Sequence, residues 1–227
     1  MNTFTTTLLK KTNLCEDVFE FHFSKPKEFT FIAGQFIQTM IPHEGAIVPR
    51  SYSIASNPTN THLIFSIKII PNGIATTYLH KMNIGDKLEI RGPIGHYISK
   101  EKKPITCIAT GVGIAPNMSL IYDELTTKNN PLPIRLLFGV REEKDLFWVE
   151  KLEELANNYT NFSYTITLSQ AHDSWGGIKG RVTKHIPENI AADEQIYICG
   201  NPHMVADVRN AFLKNNVDKT QIHIEVF

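Results

Sequence analysis

The string Arg50-Ser51-Tyr52-Ser53 combines a cation, a flat ring and two hydroxyl groups within four residues. The guanidinium of Arg50 can clamp a pyrophosphate, Tyr52 can cover a flat ring, and Ser53 can hydrogen-bond a ring nitrogen. A surface arginine beside a packed tyrosine would explain the same string in a β-protein. The string therefore fits binding of a ligand with a pyrophosphate and a flat ring, but it does not by itself distinguish such a site from ordinary β-sheet packing.

A second stretch, ITCIATGVGIAP, joins a short β-branched run at Ile105–Thr110 to a glycine turn and a proline. Gly111 and Gly113 allow a tight turn that a ligand can approach closely, and Pro116 suits a first helical turn. Such a strand–turn–helix junction points unpaired N–H groups at a phosphate or a polar carbonyl. Pro116 stands where the six-residue G-x-G-x-x-G pattern has its third glycine, so a turn without a ligand stays open as an alternative.

Three weaker motifs complete the set. Ile67-Lys68-Ile69 precedes Gly73-Ile74-Ala75-Thr76, whose glycine turn leads backbone donors toward a phosphate. Cys199-Gly200 opens a string that runs to Met204, and the chain ends on Ile222-His-Ile-Glu225-Val-Phe227. Taken alone, Cys199 is equally explained as a small buried residue at a strand end.

The first hundred residues read as all-β, with turn residues between short runs of β-branched and aromatic side chains. The predicted strands are Phe4–Leu9, Val18–Phe23, Gln35–Ile41, Ser51–Ser56, Leu63–Ile69 and Lys87–Arg91. Six strands at this spacing predict a small antiparallel barrel or sandwich. A helical turn is expected only near Ile74–Lys81.

The second half alternates strands and helices. Strands are predicted at 105–110, 134–139, 162–168, 195–199 and 223–227, and helices at 115–128, 146–157 and 202–215. This order predicts right-handed crossovers and a parallel sheet. We expect residues 1–99 to form the antiparallel β-barrel and residues 104–227 the α/β domain, joined by the polar stretch Ser99–Pro104.

Composition excludes several classes of protein. The chain of 227 residues is 42% hydrophobic and 20% charged, which is typical of a globular fold, and its 23 basic residues balance its 23 acidic ones. That balance gives no general attraction to nucleic acid or to an anionic membrane. No run resembles a secretory signal or a membrane span, so we expect a cytoplasmic protein without membrane insertion. The nine histidines form no metal-binding pattern, so no metal site is expected.

In this order, the motifs resemble the ferredoxin–NADP reductase superfamily of flavoproteins, without a fused iron–sulfur domain. The resemblance covers essentially the whole chain. It implies that the barrel binds FAD and that the α/β domain binds NADH or NADPH. The implied activity is hydride transfer from NAD(P)H to FAD, followed by electron transfer to a separate acceptor such as ferredoxin, flavodoxin or an oxygenase component. Two alternatives stay open: an NAD(P)H:flavin reductase that releases reduced free flavin, and a non-catalytic flavin-binding regulatory subunit.

The resemblance also assigns roles by position. Arg50 with Ser51 would hold the FAD pyrophosphate, Tyr52 would stack on the isoalloxazine, and Ser53 would lie at flavin N5. Phe227 would cover the other flavin face, with Glu225 near the same pocket and Cys199 close to the carbon that gives up hydride. The further cofactor-binding residues would be Ile67, Lys68, Ile69, Gly73, Ile74, Ala75, Thr76, Thr110, Gly111, Val112, Gly113, Pro116, Arg141, Ser169, Gln170, Gly200 and Met204.

Gln170 bears on the choice between NADH and NADPH. Relatives that prefer NADP often carry serine followed by arginine here, and this chain has Ser169-Gln170. A neutral amide cannot make the charge-assisted contact with a 2′-phosphate, so NADH is slightly favoured. Lys179 and Arg181 lie nearby in the sequence and can substitute for the missing arginine.

Overall fold

The computed structural model describes residues 2–227 and contains two six-stranded sheets. The strands are β1 (Thr3–Cys15), β2 (Val18–Ser24), β3 (Phe36–His43), β4 (Ala46–Ser53), β5 (His62–Lys68), β6 (Lys87–Ile94), β7 (Ile105–Thr110), β8 (Ile134–Val140), β9 (Phe162–Leu168), β10 (Ile178–Lys179), β11 (Gln195–Gly200) and β12 (Ile222–Val226). The α-helices are α1 (Ile74–Lys81), α2 (Ile114–Tyr122), α3 (Val149–Asn158) and α4 (Pro202–Lys214). Within residues 2–227, none of these helices has the length and hydrophobicity that a membrane crossing requires.

The first sheet is antiparallel, with strand order β4-β3-β6-β1-β2-β5. Ala55, just after β4, donates its N–H to the Ile64 carbonyl of β5 at 2.8 Å, so the two ends of the sheet meet and form the predicted barrel. Alternate residues point inward, as Phe21 and Phe23 of β2 do, and they fill the barrel core together with Leu79 of α1.

The second sheet has the order β10-β9-β8-β7-β11-β12, and its strand pairs are all parallel. Neighbouring residues of a strand face opposite layers: Cys107 and Ala109 pack under α2 and α3, while Ile108 packs under α4. Helices therefore cover both faces, which explains why β7 is buried up to its last residue, Thr110. The predicted fold class, a barrel followed by a parallel α/β sheet, is confirmed.

Helix α2 lies between the two halves. It is buried on nearly every side, and the Ser119 hydroxyl donates to the Ser56 carbonyl oxygen of the barrel half at 2.7 Å. Val18, Ala33 and Ala55 of the barrel half join the apolar cluster beneath it. The two sheets thus share a packed interface.

Several boundaries differ from the sequence prediction. Strand β1 continues to Cys15, where its end was predicted at Leu9. Helix α2 ends at Tyr122, and a π-helical segment, Asp123–Thr127, follows it. Strand β4 begins at Ala46 and ends at Ser53, so Arg50–Ser53 forms its second half rather than the start of a strand that runs to Ser56. The start of β4 was not predicted because Pro49 lies inside the strand, and proline usually argues against a strand. An edge strand tolerates the missing N–H. Helix α3 begins at Val149 and not at Leu146, because Trp148 adopts a left-handed conformation with φ 60°. The short strand β10 was not predicted.

Candidate functional site

A groove of about 910 Å³ lies where the two halves meet, at the carboxyl ends of β7 and β11. The strand order reverses between these two strands, and such a switch point is where open α/β sheets bind ligands. Ten of the predicted site residues line this groove. They are Lys68, Thr110, Gly111, Val112, Arg141, Ser169, Gln170, Gly200, Met204 and Phe227.

The turn from β7 to α2 is pressed against β11. A Cβ atom on Gly113 would lie 2.5 Å from the Cys199 carbonyl oxygen, so only glycine fits there. Gly111 has φ +55°, and a Cβ on it would meet no atom within 4 Å, because this side of the turn is open. The turn therefore joins β11 tightly while leaving backbone accessible at Gly111, as the sequence predicted.

Ser53 and Glu225 meet although 172 residues separate them in the chain: the Ser53 hydroxyl donates to the Glu225 carboxylate. Glu225 lies beside Cys199 in the pairing of β11 with β12. Burial raises the pKa of Glu225, and the hydrogen bond from Ser53 offsets part of that rise. Burial also raises the pKa of the Cys199 thiol well above its usual value, with the nearby Glu225 carboxylate adding to the shift. The cysteine is thus a neutral thiol at physiological pH and not a nucleophile.

Phe227 lies at the mouth of the groove and is 50% exposed. Its N–H donates to the Gly200 carbonyl oxygen at 3.4 Å, which holds the last residue at the end of β11. Cys199 itself is fully buried and does not line the groove. Of the four residues predicted to be catalytic, the structure therefore places Glu225 next to both Ser53 and Cys199, while Phe227 lines the groove.

Arg50, Ser51 and Tyr52 lie outside the groove, on edge strand β4. The exposed Arg50 guanidinium donates to the uncharged Pro49 carbonyl oxygen at 2.8 Å, so its charge is available to a ligand. Tyr52 packs on the barrel core, and burial raises the pKa of its phenol to about 12. Ser51 is exposed.

The predicted Gly73–Thr76 cradle also lies outside the groove, at the start of α1. The Thr76 hydroxyl donates to the Ile70 carbonyl oxygen and accepts from the Ile70 N–H, both at 3.2 Å, so it braces the turn. Ala75 is buried against the core. No side chain caps the first turn of α1, which leaves its backbone N–H groups as donors. Ile67 and Ile69 contribute to the barrel core, and Pro116 is buried in α2.

The sequence prediction missed several residues of the groove. Asp17 forms an ion pair with Lys68 at 2.7 Å, and its carbonyl oxygen accepts from the Ile69 N–H. His203 and Asp207 lie one helical turn apart on α4, and both face the groove. The i, i+4 spacing after Pro202 was the available signal for this pair.

Comparison with known proteins identifies the two halves. Residues 5–98 match the oxidoreductase FAD-binding domain family, and residues 107–210 match the oxidoreductase NAD-binding domain family. Ferredoxin–NADP reductase B of Sorangium cellulosum is 32% identical over 211 residues, which cover 88% of this chain and 86% of the relative. The chain belongs to the ferredoxin–NADP reductase superfamily.

Other relatives are longer than this chain, which matches only part of their length. The 2-halobenzoate 1,2-dioxygenase electron transfer component of Burkholderia cepacia is 34% identical, and the match covers 87% of this chain and 59% of that protein. A ferredoxin NADP⁺ reductase from Neisseria gonorrhoeae, crystallised with FAD and NADP, superimposes with a TM-score of 0.87 at 21% identity. That match covers 99% of this chain and 98% of the other, and at this identity it supports the fold alone.

The residues present fit both cofactors of the superfamily. The barrel offers the Arg50 cation and uncapped N–H groups at α1, which is a donor set for a pyrophosphate. The groove offers the open backbone at Gly111, with Ser169 and Gln170 elsewhere in its lining. Its volume lies within the range of cofactor-binding clefts.

Proposed function

We propose that the chain is an FAD-dependent NAD(P)H reductase that takes hydride from the nicotinamide and delivers electrons to a separate acceptor protein. The observation that carries the proposal is the contact between Ser53 and Glu225, which joins the end of barrel strand β4 to the last strand of the parallel sheet beside the groove. Ferredoxin, flavodoxin or an oxygenase component are the candidate acceptors. The names of the Burkholderia and Sorangium relatives, an electron transfer component and a ferredoxin–NADP reductase, support this choice.

Bound FAD supplies the chemistry, since it accepts a hydride and releases electrons one at a time. The protein supplies binding and orientation. Arg50 and the first turn of α1 hold the pyrophosphate of FAD. The groove from Gln170 to Gly111 aligns NADH or NADPH. Phe227 occupies the mouth of the groove, so in this proposal it moves aside when a nicotinamide enters.

The hydrogen bond between Ser53 and Glu225 lies at the junction of the two halves. Because burial raises the pKa of Glu225, its carboxyl group binds a proton more readily than an exposed glutamate does. The Ser53 hydroxyl, which donates to that carboxylate, links it to barrel strand β4. In this proposal Cys199 stays a thiol that shapes the polarity of the site.

Three further assignments belong to the proposal. Residues 1–99 act as the FAD-binding domain and residues 104–227 as the NAD(P)H-binding domain. NADH is the preferred donor, supported by the neutral Gln170, although Arg181 also lines the groove and is the residue best placed to favour NADPH. The protein works in the cytoplasm, a reducing compartment, which agrees with the three free cysteines among residues 2–227. Cell fractionation with antibody detection tests the location.

Steady-state oxidation of NADH by the purified protein tests the proposed activity. With ferricyanide as a one-electron acceptor and no added flavin, we expect rapid turnover by protein that keeps FAD through gel filtration. Turnover only with added riboflavin or FMN would support a flavin reductase instead. FAD binding without any NADH or NADPH oxidation would contradict the proposal.

A further inference from the structure

The carboxylate of Glu20 is buried between the two halves of the molecule, away from the Ser53–Glu225 pair. Glu20 belongs to barrel strand β2 and is 5% exposed. Its Oε2 accepts from the indole Nε1 of Trp148 at 2.6 Å and from the Lys151 ammonium group. Trp148 and Lys151 belong to the parallel-sheet half, so this carboxylate ties the halves together. We call these three residues the interdomain latch.

The latch is held on the parallel-sheet side by a constrained backbone. Trp148 has φ 60° and ψ 15°, a left-handed conformation that bulky residues rarely adopt. Its ring packs edge to face on Phe147 at 5.3 Å, and Phe147 packs in the same way on Phe138 of β8 at 5.6 Å. The Lys151 ammonium lies 4.8 Å from the centre of the Trp148 ring. Strained conformations of this kind persist only where the surroundings over-determine them.

The groups that face Glu20 keep it ionised. Burial alone would raise its pKa, but hydrogen bonds from His22, Lys151 and Trp148 outweigh burial and lower the pKa to about 2. His22 Nε2 lies 2.6 Å from the other carboxylate oxygen. Ser66, opposite Glu20 on β5, has a buried hydroxyl without a partner among residues 2–227. The latch therefore stays charged and closed across the physiological pH range.

The latch lies next to the groove. Val18, two residues before Glu20 and on the same face of β2, lines the groove, as does Phe147, which precedes Trp148. The groove wall thus comes from both halves, so a nucleotide that fills the groove would contact both. The angle between the halves decides where the nicotinamide end lies relative to the Ser53–Glu225 pair.

We propose that Glu20 is a positioning residue for hydride transfer, because through Trp148 and Lys151 it fixes the barrel and the parallel sheet at one mutual angle. This inference rests on the proposed reductase function and assigns a residue of that reaction which lies outside the cofactor-binding motifs.

The test compares Glu20→Gln with wild type. Glutamine keeps the shape of the side chain and can still accept from the indole, but it loses the charge that holds Lys151. We expect the saturating rate of flavin reduction by NADH to fall at least tenfold, with a larger primary isotope effect from C4-deuterated NADH. The dissociation constant of AMP, which lacks the nicotinamide part of the nucleotide, should change less than twofold.

Glu194→Gln is the matched control. Glu194 is 2% exposed and pairs with Arg135 at 2.6 Å entirely within the parallel-sheet half. The Glu194→Gln variant should have a lower melting temperature than wild type but the same saturating rate of flavin reduction by NADH. Trp148→Phe, which keeps an aromatic ring and removes the N–H donor, decides the matter if Glu20→Gln does not fold.

Wild-type rates in both Glu20→Gln and Trp148→Phe would overturn the proposal, as would equal slowing in Glu194→Gln. If neither NADH nor NADPH reduced the flavin of the wild-type protein, the proposed reductase function itself would be contradicted. The two failures are therefore distinguishable.

Discussion

Substituting alanine for Gly113 tests how the β7–α2 turn is held against β11. The added Cβ would lie 2.5 Å from the Cys199 carbonyl oxygen and 2.7 Å from both the Cys199 carbonyl carbon and the Gly200 Cα. All three are backbone atoms that cannot rotate away. Since ordinary contact begins at 3.4 Å, the turn and β11 must separate by nearly 1 Å.

The structure sets the size of the effect. Overpacking of this kind costs about 1–3 kcal/mol, and for a chain of this length each kcal/mol lowers the melting temperature by roughly 2–4 °C. We therefore expect Gly113→Ala to melt roughly 2–12 °C below wild type by circular dichroism. The shift also moves one wall of the groove, and misplacement by about 1 Å can slow a reaction about 100-fold. The saturating rate of flavin reduction should fall by one to two orders of magnitude.

Gly176→Ala is the control, because a Cβ there would meet no atom within 4 Å. Its free energy of unfolding should stay within about 0.5 kcal/mol of wild type, as for most surface substitutions. If Gly113→Ala melts and reacts like Gly176→Ala, the turn is not pressed against β11 and the reasoning fails.

Three further predictions concern charge. Arg50→Ala should weaken FAD binding by roughly 10–150-fold, the equivalent of the 1.5–3 kcal/mol of a charged hydrogen bond. Replacing the exposed Lys87 at the start of β6 by alanine should not, and fluorescence titration of the apoprotein measures both. Gln170→Arg should raise the ratio of kcat/KM for NADPH to that for NADH at least about tenfold. An unchanged ratio would show that Gln170 does not determine the preference for NADH. The raised pKa of Glu225 means that stability falls as pH rises from about 4.5 through the folded pKa, so Glu225→Gln should melt above wild type at pH 8 and equal it at pH 4. Equal melting temperatures at both values would show that burial does not disfavour the charged form.

Much of the fold follows from local patterns in the sequence. Strand β7 and helix α1 lie where the apolar runs and the flanking glycines predicted them. Strand β4 was harder to place, because an exposed edge strand needs no apolar alternation and tolerates Pro49. The start of α3 was misplaced because Trp148 has a left-handed conformation, which a bulky side chain rarely adopts and which no pattern in the sequence indicates.

The site divides in the same way. The sequence predicted that Thr110 and Gly111 belong to the site, because the strand–turn–helix motif determines the local backbone. Both residues line the groove. Asp17 and Glu20 were missed, since each gains its role from a partner in another strand or in the other half. Pairs such as Asp17–Lys68 and Glu20–Lys151, whose members are far apart in the chain, leave no local pattern in a single sequence.

The reductase function proposed for this protein requires hydride transfer from NAD(P)H to its own FAD. An anaerobic stopped-flow trace of the purified yellow protein, mixed separately with NADH and NADPH and followed at the oxidised flavin band, tests it most directly. We predict fast bleaching that saturates with nucleotide and is faster with NADH. A bound flavin that neither nucleotide bleaches would contradict the account.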